Sequence, residues 1–196
     1  MVAILDIANA FLYTENDEKI IMLLCGKLAE MMVQIDPAMY RKYGAYSLNE
    51  QAMLYVRLSK ALYGMLRAAL FFYKRLMSDL EGMGFEVNLY DPCVAKKMVN
   101  GHQMTVYWHV DDLKVSHNRK NTATVLAVKL AKLYGPKTTI CRGKVHEYIG
   151  MDIDWTTALD TMIFYVIKYL YKVIEEFPEV LRGTKASPVG NHLFNI

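Results

Sequence analysis

Cysteine is scarce in this chain. Cys25, Cys93 and Cys141 are three, an odd number, and no Cys-x-x-Cys pair occurs. That excludes a disulfide framework and a cysteine-built zinc site, and it suits reduced thiols inside a cell. A strong charge of one sign is also missing: 23 basic residues stand against 20 acidic ones, a formal net charge of +3. Such a balance does not announce a nucleic-acid binder, although clustered basic groups permit one. No apolar run is long enough to span a bilayer; the stretch from Met162 to Ile174 is broken by Lys168 and Lys172. Residues 1–13 are apolar but lack a basic start and carry Asp6 within them, so they do not read as a secretory leader. The expected setting is intracellular, cytoplasmic or nuclear, with no membrane. Repeats and low-complexity tracts are absent too. What is present is bulk: 196 residues, 54% of them hydrophobic, with 14 Tyr and 13 Met. A chain of that size and composition holds a real core of large, adaptable side chains.

The pattern along the chain alternates strands and helices irregularly. Residues 2–7 form a short apolar run that fits a buried strand, and 18–25 reads as a second. Residues 27–33 suit one or two helical turns before Pro37. Residues 47–51 read as a loop and 52–58 as a strand. A long helix is expected over 66–83, with Leu66, Leu70, Tyr73, Leu76 and Leu80 at helical spacing and Gly82 and Gly84 at its end. Then comes a meander: a strand at 93–99, an Asn100-Gly101 hairpin turn, a strand at 102–110, a tight turn at Asp111-Asp112, and a return at 113–117. A second helix over 122–134 stops at Gly135-Pro136. Strands at 144–155 and 162–166 and a helix at 168–177 complete the pattern. Together these predict an α+β fold, an antiparallel-rich sheet with helices packed on one face.

Chemistry concentrates at the second turn of the meander. Side chains alternate along a strand, so Thr105, Tyr107, His109 and Asp111 share one face, and Val106, Trp108 and Val110 share the other, apolar one. Adjacent acids on a bend repel each other unless a cation or proton relieves them. Most such pairs are solvated turn residues; a third acid changes the reading. Asp6 ends the first apolar strand, where an acid must be paired, capped or bound. If that strand lies beside the meander, Asp6 and Asp111 face one another. Mg²⁺ suits such a site, because it binds one or two carboxylates together with substrate phosphates.

These residues carry a resemblance. The run from Asp6 to Leu12 (Asp-Ile-Ala-Asn-Ala-Phe-Leu) resembles the first catalytic motif of copia-type retrotransposon reverse transcriptases. His109-Val110-Asp111-Asp112-Leu113 is similar to the motif usually written Tyr-Val-Asp-Asp. Between them, Leu62-Tyr63-Gly64 resembles the opening of the family's helix motif, and Asp91-Pro92-Cys93 its Asp-Pro-Cys run. Gly143 to Ile153 is similar to a later strand with a Leu-Gly turn. The likeness extends from about residue 3 to the end. It departs after Gly64: the family's Gln and Pro are absent from 65–72, and Ile140 stands where a Lys is common.

The resemblance implies an RNA-directed DNA polymerase with a reverse-transcriptase-like palm over 1–177, partial fingers, and a tail over 178–196. Two Mg²⁺ ions, or Mn²⁺ in their place, would clamp an in-line displacement on a deoxynucleoside triphosphate, with an RNA or DNA template and its primer as partners. Asp6 and Asp111 would hold the metals, with the Ile7 backbone oxygen, and Asp112 would support them. Phe11 would exclude a ribose 2′-hydroxyl by contact. Tyr148, Ile149, Gly150 and Met151 would hold the primer end, with Gly150 allowing close backbone approach. Arg67, Lys74 and Arg75 share a broad helix sector and would follow template and primer phosphates; Lys137, Arg142 and Lys144 form a second basic group of unassigned role. Only five residues precede Asp6, so the chain is expected to be short of fingers at its start and of a ribonuclease H region at its end. Two other readings stand beside the enzyme. One is a palm remnant that folds without catalysis. The other is an RNA-binding sheet that uses Tyr107 and Trp108 as stacking platforms. A His/Asp metal hydrolase built on His109 and His117 finds no ligand spacing in His102, His146 or His192.

Overall fold

The computed structural model describes residues 1–46, 49, 51–158 and 161–178. It is a mixed α and β fold with antiparallel sheets, and it divides into one compact unit, Met1–Gly143, and a second that begins at Lys144. That division lies inside the stretch expected as a single 1–177 domain. The 47–51 loop falls largely outside the described residues, as does the tail after residue 178.

The first unit opens with β1 (Val2–Asp6) and a short 3-10 helix (Ala10–Tyr13). Next come β2 (Ile21–Cys25), α1 (Lys27–Ile35), α2 (Pro37–Tyr40), β3 (Gly44–Tyr46) and β4 (Ala52–Arg57). Pro37 begins α2 rather than merely interrupting a helix; Asp36 caps it by accepting from the Met39 N–H, and proline suits a first helical turn. Then follow α3 (Ala68–Gly82), β5 (Glu86–Val87), β6 (Val94–Val99), β7 (His102–His109), β8 (Asp112–Ser116), α4 (Lys120–Tyr134) and β9 (Thr139–Arg142).

Six of these strands make the main sheet, in the order β5-β6-β7-β8-β1-β9, and β2-β4-β3 make a smaller one. β1 lies between two partners, so both edges of its backbone are paired. One face of the main sheet is dry. Ala3, Leu5, Met104, Val106, Trp108, Leu113 and Val115 join a single buried cluster with Phe72, Leu76 and Leu80 of α3 and Leu126, Leu130 and Tyr134 of α4. Both long helices therefore bury their apolar stripes against the same face. A core leucine of this kind stabilises by about 2–5 kcal/mol against truncation to alanine.

The stripe of α3 differs from the expected one. Its buried residues are Ala68, Phe72, Leu76 and Leu80, whereas Leu66 is fully exposed and precedes the helix. Phe72 sets the rotation. Its ring meets Phe11 at 6.4 Å and Tyr134 at 5.6 Å, and turning the helix to bury Leu70 would break both contacts.

The second unit contains β10 (Val145–Tyr148), β11 (Met151–Ala158), β12 (Thr161–Tyr165) and α5 (Ile167–Glu176). The strands form an antiparallel meander in chain order. The single strand expected over 144–155 is thus two strands, folded at Ile149-Gly150, where both residues have positive φ (51° and 70°) as a two-residue hairpin turn requires. His146, Tyr148 and Ile153 are buried, Trp155 packs its ring on His146, and none of the described residues of α5 is buried. Among the described residues, no helix is long and apolar enough to cross a membrane.

Candidate functional site

The candidate site forms where β1 meets the second turn of the meander. β1 and β8 run antiparallel in a register that sets Asp6 opposite Asp112, and the Ile7 N–H donates to the Asp111 carbonyl at 3.1 Å. Residues paired across antiparallel strands point to the same face, with Cα atoms about 4.5–5.5 Å apart. Asp6 and Asp112 therefore share the face opposite the helices. The residue directly across from Asp6 is Asp112, not Asp111, which belongs to the turn itself. Val110, the other turn residue, is held at φ 54°, a backbone region that β-branched residues rarely enter.

The three acids act on one another. Burial, and then the negative charge of Asp111, raises the Asp6 pKa above its ordinary value. Burial, then Asp111, then Asp6 raises Asp112, while His109, its partner across β7 and β8, works the other way. None of the ion pairs among the described residues involves any of these acids. The donor set is hard oxygen, its mutual repulsion only partly offset by His109, which suits a divalent cation completed by phosphate oxygens. Among the described residues, no three His, Cys, Asp or Glu side chains already converge into an ion cage.

Phe11 sits beside this site but faces inward. The Asn9 backbone at φ 59° turns the chain into the 3-10 helix, and Phe11 is only 7% exposed. Its ring lies 4.4 Å from that of Tyr63, which is 55% exposed. The Tyr63 hydroxyl donates to Asp111 Oδ2 at 3.0 Å. Burial first, then that hydrogen bond, then the charges of Asp111 and Asp6 push the Tyr63 phenol up to about 12. Tyr63 had only a motif position in the sequence; its signal was an aromatic followed by glycine ahead of a helix, which specifies no partner. Lys114 was also overlooked. It lies on the same sheet face two residues beyond Asp112, and burial lowers its pKa.

The basic residues separate. Arg67 pairs with Glu18 at 2.7 Å and Asp17 at 3.6 Å and lies over the Phe71 ring. Arg75 pairs with Asp79. Lys74 takes part in none of the ion pairs among the described residues. Arg142 donates to the Thr124 hydroxyl, and the Lys144 carbonyl accepts from the Trp155 N–H. Tyr148, Ile149, Gly150 and Met151 do form a turn, in the second unit. Nothing stands within 4 Å of where a Gly150 side chain would project, so glycine answers to its positive φ there and not to close approach. Trp108 is 1% exposed, which removes it from any stacking surface.

No protein-family model and no curated protein matches the chain. Solved structures do. The chain is similar to apo telomerase from Candida tropicalis truncated from its C-terminal domain, at 14% identity over 78% of this chain and 33% of that one, with a TM-score of 0.38. It is similar to telomerase from Candida albicans in complex with a TWJ fragment of telomeric RNA, at 11% identity over 78% and 30%, with a TM-score of 0.41. The chain spans about a third of the length of these proteins.

Proposed function

We propose that this chain is the palm region of an RNA-directed DNA polymerase of the copia-type retrotransposon kind. It would extend a primer 3′-hydroxyl with deoxynucleoside triphosphates on an RNA or DNA template. The observation that carries this reading is the carboxylate tip: Asp6 set opposite Asp112 and beside Asp111 by strand register, with the charge of Asp111 felt by both. Antiparallel strands hold the acids on rigid backbone, as positional catalysis needs.

In this reading Asp6 and Asp111, with the Ile7 backbone oxygen, hold Mg²⁺ or Mn²⁺, and Asp112 supplies supporting negative charge. When bound, the ions supply charge neutralisation at the attacking and leaving oxygens. The chain's own contribution is placement. Main-chain pairing of Ile7 to Asp111 fixes the separation of the two acids, while Phe11 faces the core and meets a sugar ring only if Tyr63 moves aside. Lys74 remains available to a nucleic-acid phosphate, whereas Arg67 and Arg75 must first leave their carboxylates. The Tyr148–Met151 turn is the proposed contact to the primer end.

A second reading has one observation in its favour. The lack of a preformed three-acid cage among the described residues suits a remnant that folds but does not catalyse. Primer extension on poly(rA)/oligo(dT) with Mg²⁺ separates the two. The polymerase reading expects the intact chain to outpace Asp111→Asn by at least about a hundredfold, roughly 3 kcal/mol in the barrier. Equal signals from both proteins would sink it, and silence from both would leave the remnant.

A further inference from the structure

We infer that Tyr63 is a positioning residue for divalent-ion binding, and that its hydroxyl orients the Asp111 carboxylate. The inference rests on the proposed metal role of Asp111. Its source is the geometry of Tyr63, which ties together the two pieces of chain that carry the acids. The hydroxyl donates to Asp111 Oδ2 at 3.0 Å, across 48 positions of sequence. The ring lies 4.4 Å from Phe11, five residues beyond Asp6 on the same run of chain.

The segment around Tyr63 is itself anchored. The Ala61 N–H donates to the Thr14 carbonyl at 3.1 Å, and Glu15 and Lys60 form a bridge. On the far side the Met65 N–H donates to the Leu62 carbonyl at 3.1 Å, closing a turn that Gly64 makes possible at φ 92°. The phenol is therefore delivered to Asp111 from a fixed base, although its ring is more than half exposed.

A carboxylate on a turn rotates freely unless something holds it. One donor on Oδ2 fixes the plane of the group and leaves Oδ1 and a remaining lone pair for an ion. Hydrogen bonds to ligating carboxylates of this sort set ligand orientation, and their loss typically costs roughly 10–100-fold in metal affinity.

The test is a Mn²⁺ titration of the intact chain, read by electron paramagnetic resonance, alongside thermal melts. Four proteins are compared: the natural chain, Tyr63→Phe, Tyr63→Leu and Asp111→Asn. Phenylalanine keeps the ring against Phe11 and removes only the hydroxyl. The expected result is Mn²⁺ binding about tenfold or more weaker in Tyr63→Phe, nearly as weak in Tyr63→Leu, with the Tyr63→Phe melting temperature unchanged. Natural affinity in Tyr63→Phe overturns the inference, because the ring alone would then suffice. If the natural chain and Asp111→Asn bind alike, the carboxylate site itself fails and the inference falls with it. The first outcome leaves the proposed metal site standing and the second does not.

Discussion

The two tips of the β6-β7-β8 meander are built on opposite rules. At one end, Asn100 and Gly101 turn the chain with φ of 51° and 78°. Asparagine and glycine adopt those angles at little cost, and the tip needs nothing else to hold it. At the other end Val110 is forced to φ 54°, followed by an acid that faces two more acids. Backbone in such a region costs of order 1–3 kcal/mol and persists only where its surroundings insist on it. Here the surroundings are visible: β1 pairs the return strand, the Ile7 N–H just beyond β1 donates to the Asp111 carbonyl, and Tyr63 holds the Asp111 side chain. The first tip is held by its own residues; the second is maintained against local preference by its surroundings.

The widest separation between the tips concerns chemistry. On the polymerase reading, Asp6→Asn, opposite the strained tip, is expected to lower primer extension by at least about a hundredfold, whereas Asn100→Ala leaves it within about twofold. Stability should separate them less. Gly101→Val places a β-branched residue at φ 78° and is expected to cost about 1–3 kcal/mol in urea denaturation. Val110→Gly should come out within about 1 kcal/mol of neutral, because relief of strain is offset by lost packing and a freer unfolded chain. A large gain there would mean that the strain exceeds this range; a large loss would mean that Val110 is chiefly a core residue.

The smallest expected effect is on pH dependence without divalent ions. The folded pKa values of Asp6 and Asp112 lie above the unfolded value of 3.8, so the native state holds their protons more tightly. Their contribution to stability is fully present below the unfolded value and is lost as pH rises through the folded ones. Both groups are only part-buried, so screening limits the effect to less than about 1 kcal/mol. Asp6→Asn should flatten the dependence in EDTA, measured by urea denaturation at pH 4 and pH 7. An unflattened curve would show that the acids do not feel one another.

Much of the first unit was legible in the sequence. The strand ending at Asp6, the meander with its two tips and the two long helices stand within a few residues of expectation, because each carries strong periodicity or turn chemistry. The short strands were not. β3, β5 and β9 have two to four residues each and exist only because a neighbour pairs with them, which local pattern does not record. Rotation of α3 was misread for a related reason: leucine spacing names a stripe, but the aromatic contacts of Phe72 decide which stripe is buried. At the site, the gathering of Asp6 with Asp111 and Asp112 followed from one strand-pairing choice. The Tyr63 hydrogen bond and the carboxylates that hold Arg67 depend on distant residues and leave no trace in spacing, whereas Arg75 and Asp79 are an i,i+4 helix pair whose spacing was legible and went unread.

The distribution of tryptophan has a practical consequence. The chain has two, and the units hold one each: Trp108 sealed in the core beneath the acids, Trp155 half-buried beside His146. Intrinsic fluorescence is thus already addressed by region. With Trp155→Phe the remaining emitter watches the carboxylate unit alone, and with Trp108→Phe it watches the other, so the melting of each unit is readable in the intact chain without an added dye.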